Sequence, residues 1–260
     1  MKNRKAIYAV LSLLVAVGFY YYQNNFESQN SQISIEGFNY LPTSTTGQII
    51  QHQNYTLSYN ELYEQAEWVA YELNRTHLTY DDRKRPYFIN DPKVLTGSAN
   101  YKNYKKSGYD RGHLCPAGDR RFSKDAYDET FYTSNITPQK NDFNAGVWNR
   151  LEMKTRYWTK KYGKLYVITG GILTKDLPTI GYEDVAVPKL FYKIILDYSE
   201  PEIKAIAFLF PHQESKKSLH NFVTSIDKIE QLTNIDFFPT LPDELESTLE
   251  KSISSKNWKF

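Results

Sequence analysis

Residues 110–120 read DRGHLCPAGDR, and the reading of the whole chain turns on them. Asp110, Arg111, His113, Cys115, Asp119 and Arg120 fall within eleven residues, with Gly112, Pro116 and Gly118 between them. The chain holds five His and a single Cys, so setting one of each two positions apart is a concentrated use of both. A segment so charged and so broken by Gly and Pro predicts neither a core strand nor a helix interior. Two readings fit it: an ordinary solvated turn, or a site in which an imidazole is held beside a cation.

The following segment, SNITPQKNDFNAGVWNRLEMKTRYWTKKYG over residues 134–163, reads as a loop and then a long helix. Pro138 and Asn141 or Asp142 mark the helix start and Gly163 its stop. Asn144, Trp148, Glu152 and Arg156 are spaced four apart, and at about 100° per residue they share one helical face. On the bland reading this is a surface stripe with one i,i+4 pair, Glu152–Arg156, worth a few tenths of a kcal/mol. Asn144 fits that reading poorly, because Asn competes with helix geometry and favours caps and turns. Its carbonyl oxygen would suit a hard divalent cation of the kind that keeps most of its waters, with Glu152 acting through one of them.

Around this centre the chain reads as one mixed domain over residues 51–260. QNYTLSYN alternates as a strand, and ELYEQAEWVAYEL fits a strand or an amphipathic segment. YFINDP reads as a short strand, KLYVITGGIL as a buried one, and FYKIILDY and IKAIAFLFP as a hairpin around SEPE. SLHNFVTSIDKIEQLT and LPDELESTLEKSI read as helices, the second capped by Pro242 and Asp243. Strands and helices without regular alternation point to an α+β fold.

The N-terminal 25 residues carry three basic side chains and then an uncharged run from Ala6 to Tyr22. That pattern is expected of a signal peptide or membrane anchor, and hence of export, with the domain secreted, periplasmic or anchored outside the cytoplasm. Residues 26–50 read as a polar linker, and only the N-terminal segment would touch a membrane. The formal charge of +2 hides an asymmetry. Arg75 to Arg121 holds eleven Lys or Arg against five Asp, whereas Phe222 to Glu250 holds one Lys against seven acids. The first stretch can face a polyanion, although two solvated surfaces would give the same count. Tyr101, Tyr104 and Tyr109 interleave with Lys102, Lys105 and Lys106, a pattern shared by strand-stacking surfaces and by flexible loops.

Three ordered motifs, DRGH with Pro116, S-N-x-x-P-Q at Ser134–Gln139 and N-x-G-x-W-x-x-L-E at Asn144–Glu152, resemble the DNA/RNA non-specific endonucleases of the ββα-metal superfamily. The resemblance spans residues 55 to 250 and implies a ββα-metal nuclease fold with a central, mainly antiparallel sheet flanked by helices. It implies His113 as the general base that activates water, and Asn144 as the direct ligand of one Mg2+, or of Mn2+ in its place. Glu152 would reach the ion through water. Arg111 and Arg156 would bind phosphate, Arg85 would steady the transition state with Arg83 as competitor, and Asn135 and Gln139 would lie among the substrate contacts. The implied activity is hydrolysis of DNA and RNA to 5′-phosphate ends, and the arrangement is compatible with a homodimer. The alternatives are a catalytically inactive nucleic-acid-binding protein on the same fold, and a cysteine hydrolase using Cys115. His52, His77, His212 and His220 read as structural or solvated.

Overall fold

A computed structural model of the chain describes residues 38–260. The expected signal or anchor at residues 1–25 lies outside them. Of the expected linker, the described part is not a tether. Phe38, Tyr40 and Leu41 pack on the core, and Gln48–Gln51 forms the first strand, β1.

The strands that follow are β2 (Thr56–Asn60), β3 (Gln65–Asn74), β4 (Asp110–His113), β5 (Ile136–Gln139) and β6 (Lys164–Gly171). Then come β7 (Thr179–Ile180), β8 (Val185–Ala186), β9 (Leu190–Asp197), β10 (Lys204–Pro211) and β11 (Val223–Thr224). Among the described residues four α-helices are interspersed: α1 (Lys124–Glu129), α2 (Asn149–Tyr162), α3 (Ile226–Thr233) and α4 (Asp243–Lys251). Seven strands form one antiparallel sheet in the order β1-β2-β3-β6-β9-β10-β11, which bears out the expected α+β class.

Strand alternation sorts the core onto two faces. Along β9, Tyr192, Ile194 and Leu196 pack with Ile226 and Ile229 of α3 and Leu249 of α4. Phe191 and Ile195 point the other way, onto Trp148 and onto Leu151 and Trp158 of α2. Each such large side chain contributes about 1.5–3 kcal/mol on burial. Together they press α2 onto the sheet and fix which of its faces remains for chemistry.

Three expectations are corrected here. Asp110–His113 is a strand after all, paired with β5 in register Asp110↔Gln139 through His113↔Ile136, in a two-stranded sheet of its own. Gly112 lies within that strand, where a Cβ would overlap the buried Gln139 side chain on the partner strand. The glycine serves close approach rather than a turn. YFINDP supplies only one isolated bridge, Ile89 to Tyr132, and SLHNFVTSIDKIEQLT divides into a 3-10 turn, β11 and α3. Local pattern misses β4 because its stability comes from one partner strand that the chain reaches some twenty residues later.

Gly112→Ala should therefore destabilise the protein by about 1–3 kcal/mol in urea unfolding, the usual range for overpacking. Placing it in a Gln139→Ala background should recover part of the loss. A full penalty in both backgrounds would mean that Gln139 is not the obstacle.

Candidate active site

The hairpin β4–β5 and the helix after it form a ββ-then-helix unit, and the chemistry of the chain gathers there. His113 ends β4 between two aromatic rings, Phe88 at 5.6 Å and Phe131 edge-on at 5.1 Å between centroids. Its Nε2 is buried without a hydrogen-bond partner. Desolvation, with the charge of Arg85 as a second cause, pushes its pKa down to about 3. The imidazole is therefore neutral at physiological pH, and a less ready proton acceptor than an unperturbed histidine.

Asn144 does not sit in a regular α-helix. Phe143–Trp148 is a π-helical segment kinked at Gly146, so the four-residue stripe is regular only from Trp148 onward. Gly163, with φ of 97°, ends α2 as expected. The Asn144 amide nitrogen donates to Asp110 at 3.1 Å, and Asn141 donates to the same carboxylate at 3.0 Å. Asp110 thereby fixes the Asn144 amide and leaves its carbonyl oxygen as the free end.

Glu152 is mostly buried, with 14 % of its side chain exposed, and its nearest cation is the Arg156 guanidinium at 4.0 Å. Burial pushes its pKa up to about 7 against the pull of Lys193 and Arg156 and with a push from Asp119. A buried carboxylate left so short of positive charge and, earlier in the same helical stretch, an amide oxygen held free are donor types that fit a hard divalent cation.

Arg156 comes into the site but is already engaged. It donates to Asp119 Oδ1 at 2.7 Å, and Tyr71 donates to Oδ2 at 3.1 Å. Its guanidinium braces Asp119 through one nitrogen and flanks Glu152 with the other, and 24 % of the side chain stays exposed. Asn135 is corrected. It is fully buried, accepting from the Cys115 N–H at 2.8 Å and donating to the carbonyls of Cys115 and Thr130. Gln139 is also fully buried, behind Gly112, and its amide has no partner among the described residues. Neither reaches a substrate.

Arg85 and Arg111 come together on one aromatic ring. Both guanidinium groups lie over the Phe88 ring, at 5.2 and 5.4 Å, and neither forms an ion pair among the described residues. Arg83, the competitor, is bound to Asp81 and to the Arg121 carbonyl. Of the three tyrosines, Tyr104 is buried with its hydroxyl directed at the Ile136 carbonyl, and Tyr109 is half-buried beside His212, so only Tyr101 is open. Cys115 is fully buried and its thiol is pushed up to about 12, chiefly by desolvation, which removes the thiolate a cysteine hydrolase requires. His52 pairs with Asp91 at 2.7 Å, and His212 bridges Pro188 and Lys140, both in structural roles.

Three residues escaped sequence reading. Asp110 and Asp119 stood in the opening motif without assigned work. Lys193 is fully buried on β9, its Nζ 4.7 Å from the Trp148 ring centroid and without a hydrogen-bond partner. A lone Lys in the apolar run FYKIIL was the available signal, since an unpaired buried ammonium is expensive.

The profile of the family described as DNA/RNA non-specific endonuclease matches residues 31–244. The zebrafish (Danio rerio) protein named "Nuclease EXOG, mitochondrial" is 34% identical over 94% of this chain and 76% of its own length. The mouse (Mus musculus) protein of the same name is 35% identical over 74% of this chain, which spans only 57% of that relative. A chain of the crystal structure titled for the EndoG/EndoGI complex and EndoG inhibition superposes with a TM-score of 0.71 at 30% identity. That match covers 77% of this chain and 89% of the other. The expectation of export is overturned by these names, which are those of mitochondrial nucleases rather than secreted ones. Among the described residues no helix is long and apolar enough to cross a membrane.

Glu152 gives a test with a definite sign. A carboxyl whose pKa is raised on folding stabilises the fold most when protonated and less as pH rises through about 7. In EDTA, wild-type stability should fall between pH 5 and pH 8 by up to about 2–3 kcal/mol from this group, and Glu152→Gln should flatten that slope. Added Mg2+ should raise Tm more at pH 8 than at pH 5.5, and only in the wild type. Equal shifts at both pH values would sever Glu152 from the cation.

A second test concerns Asn135. Asn135→Ala should cost about 2–4 kcal/mol in unfolding, because two carbonyls and an N–H lose their partners in the interior. A raised KM with unchanged stability would restore a role in substrate binding.

Proposed function

Because the chain belongs to the DNA/RNA non-specific endonuclease family, we propose that it hydrolyses phosphodiester bonds of both DNA and RNA, leaving 5′-phosphate ends. The observation that carries this reading is the Phe88 ring, which adjoins the neutral His113 imidazole and lies under two unpaired arginines.

In this reading the neutral His113 imidazole accepts a proton from the water that attacks phosphorus. Arg85 and Arg111 hold the phosphoryl oxygens, where negative charge grows in a partly desolvated site. The charge of Arg85 depresses His113 in the free protein. A phosphate bound to Arg85 offsets that charge, so substrate itself raises the basicity of the imidazole. Asn144, through its carbonyl oxygen, and Glu152, through water, would hold Mg2+, with Mn2+ as a substitute. When bound, the ion supplies charge stabilisation to the phosphoryl group and the departing 3′ oxygen. Asp110 keeps the Asn144 oxygen turned toward that position, and Arg156 keeps Glu152 beside it. Contacts aimed at phosphate rather than at base edges account for indifference to sequence and sugar.

Plasmid DNA and RNA should both be degraded with Mg2+, and EDTA should stop cutting. His113→Ala should lower kcat by about 10²–10⁴-fold, the worth of a positioned base. A variant that cuts as well as wild type would remove His113 from the mechanism. Binding without cutting by both proteins would leave an inactive nucleic-acid-binding protein. The NMR titration of His113 should fall well below the ordinary histidine range in the free protein, and Arg85→Gln should move it upward.

A further inference from the structure

His212 follows the last residue of β10 and lies 72 residues from Lys140, the residue it bonds. We propose that His212 is a positioning residue for the metal-binding segment: by accepting the Lys140 N–H it fixes the start of the helical stretch that carries Asn144. The proposal rests on the nuclease reading above for Asn144 as the ligand of the cation.

The ring has no freedom in how it is used. His212 is 7 % exposed, with the Phe143 and Phe191 rings edge-on to it at 5.2 and 5.0 Å between centroids. Nε2 lies 2.7 Å from the Lys140 nitrogen, and Nδ1 lies 2.8 Å from the Pro188 carbonyl oxygen. A backbone N–H can only donate and a carbonyl oxygen can only accept. Nε2 therefore holds the lone pair and Nδ1 the proton, so the neighbours select one neutral tautomer. Burial pushes the pKa down to about 4, which keeps that tautomer at physiological pH. The His212 N–H donates to the Lys189 carbonyl at 2.9 Å, so the residue is anchored to the chain entering β9 from both its backbone and its ring.

Lys140 passes this anchorage to the site. It stands one residue beyond β5, where the β4–β5 ladder has ended. Its N–H goes to His212, and its carbonyl accepts from the Phe143 N–H at 3.1 Å and the Asn144 N–H at 2.9 Å. Asn144 is thus held at its side chain by Asp110 and at its backbone by Lys140. The backbone hold matters because the stretch is kinked at Gly146. The kink separates Asn144 from the regular part of α2 that the core presses onto the sheet, so its place depends on what holds the residues before it. Groups that orient a metal ligand without touching the ion are commonly worth about 10–100-fold in metal affinity.

Amide exchange and Mg2+ titration of the full chain separate this role from plain support of the core. His212→Leu removes the acceptor, whereas His212→Gln places Oε1 three bonds from Cβ, as Nε2 is, and keeps it. In EDTA the Lys140 and Asn144 amides should exchange about tenfold faster in His212→Leu, measured against the β9 amides, and His212→Gln should restore most of the protection. The Mg2+ concentration giving half-maximal cutting should rise about 10–100-fold in His212→Leu, with little change in KM for DNA, and return toward wild type in His212→Gln. Phe208→Leu, in the same core but away from Lys140, is the control: it should lower Tm and leave the Mg2+ requirement unchanged.

Wild-type exchange at both amides in His212→Leu would overturn the proposal. An equal rise in Mg2+ requirement in Phe208→Leu would do the same, because any loss of stability would then produce it. The imidazole ¹⁵N spectrum of wild type supplies a check that needs no variant, since a proton on Nε2 rather than Nδ1 is incompatible with the role. If wild type cuts neither DNA nor RNA, the nuclease reading fails, and amide exchange with the Mg2+-dependent rise in Tm still decides what His212 does.

Discussion

A carboxylate buried to 1 % exposure has to be paired or protonated, and Asp119 is paired from two directions. Arg156 reaches it from α2 and Tyr71 from β3. Asp119 itself stands six residues after His113, in the loop that leaves β4. The ion pair therefore ties the strand that carries the imidazole to the helix that carries Glu152 and to the sheet beneath both. Arg120, equally buried, adds three hydrogen bonds to backbone carbonyls, including that of Glu72 on β3. Breaking such a pair strands a charge in the interior, at a cost of about 3–5 kcal/mol, so the loop has little freedom to drift.

The same sheet face imposes a charge economy on the site. Alternation along β9 turns Phe191, Lys193 and Ile195 toward α2, which sets an ammonium under Trp148 and near Glu152. Without a bound cation, Glu152 is still pushed up to about 7, because one buried lysine and one shared arginine do not make up for lost water. The fold thus leaves a buried carboxylate short of positive charge. His113 carries the opposite perturbation: burial and Arg85 hold it neutral. Two titratable groups driven apart by their surroundings, one toward proton uptake and one toward proton loss, are the electrostatic pattern of acid–base sites.

Polar residues inside a motif need not act on substrate. Asn135 is as much part of the local signature as His113, yet every hydrogen bond of its side chain goes to the backbone of Cys115 or Thr130. Together with the Leu114 N–H donating to the Asn135 carbonyl, it sets the angle at which the chain leaves β4. Gln139 fills the space that Gly112 leaves open. Exposure separates these residues from the chemical ones: Arg85, Arg111 and Tyr101 remain accessible, whereas Asn135 and Gln139 do not. A one-dimensional motif carries no information about burial.

The sequence by itself determined the long strands β2, β6, β9 and β10, the helix stop at Gly163 and the identity of the His, Asn and Glu at the centre. These rest on local periodicity, capping and residue chemistry, which a short window contains. Only the tertiary structure decided that DRGH is a strand, because its partner is β5 and its glycine answers to Gln139. It alone turned Arg156 toward Asp119, kinked the helix at Gly146 and set Lys193 beneath Trp148. Those outcomes depend on which distant groups share a desolvated space, and burial is a property of the assembled core rather than of any stretch of chain.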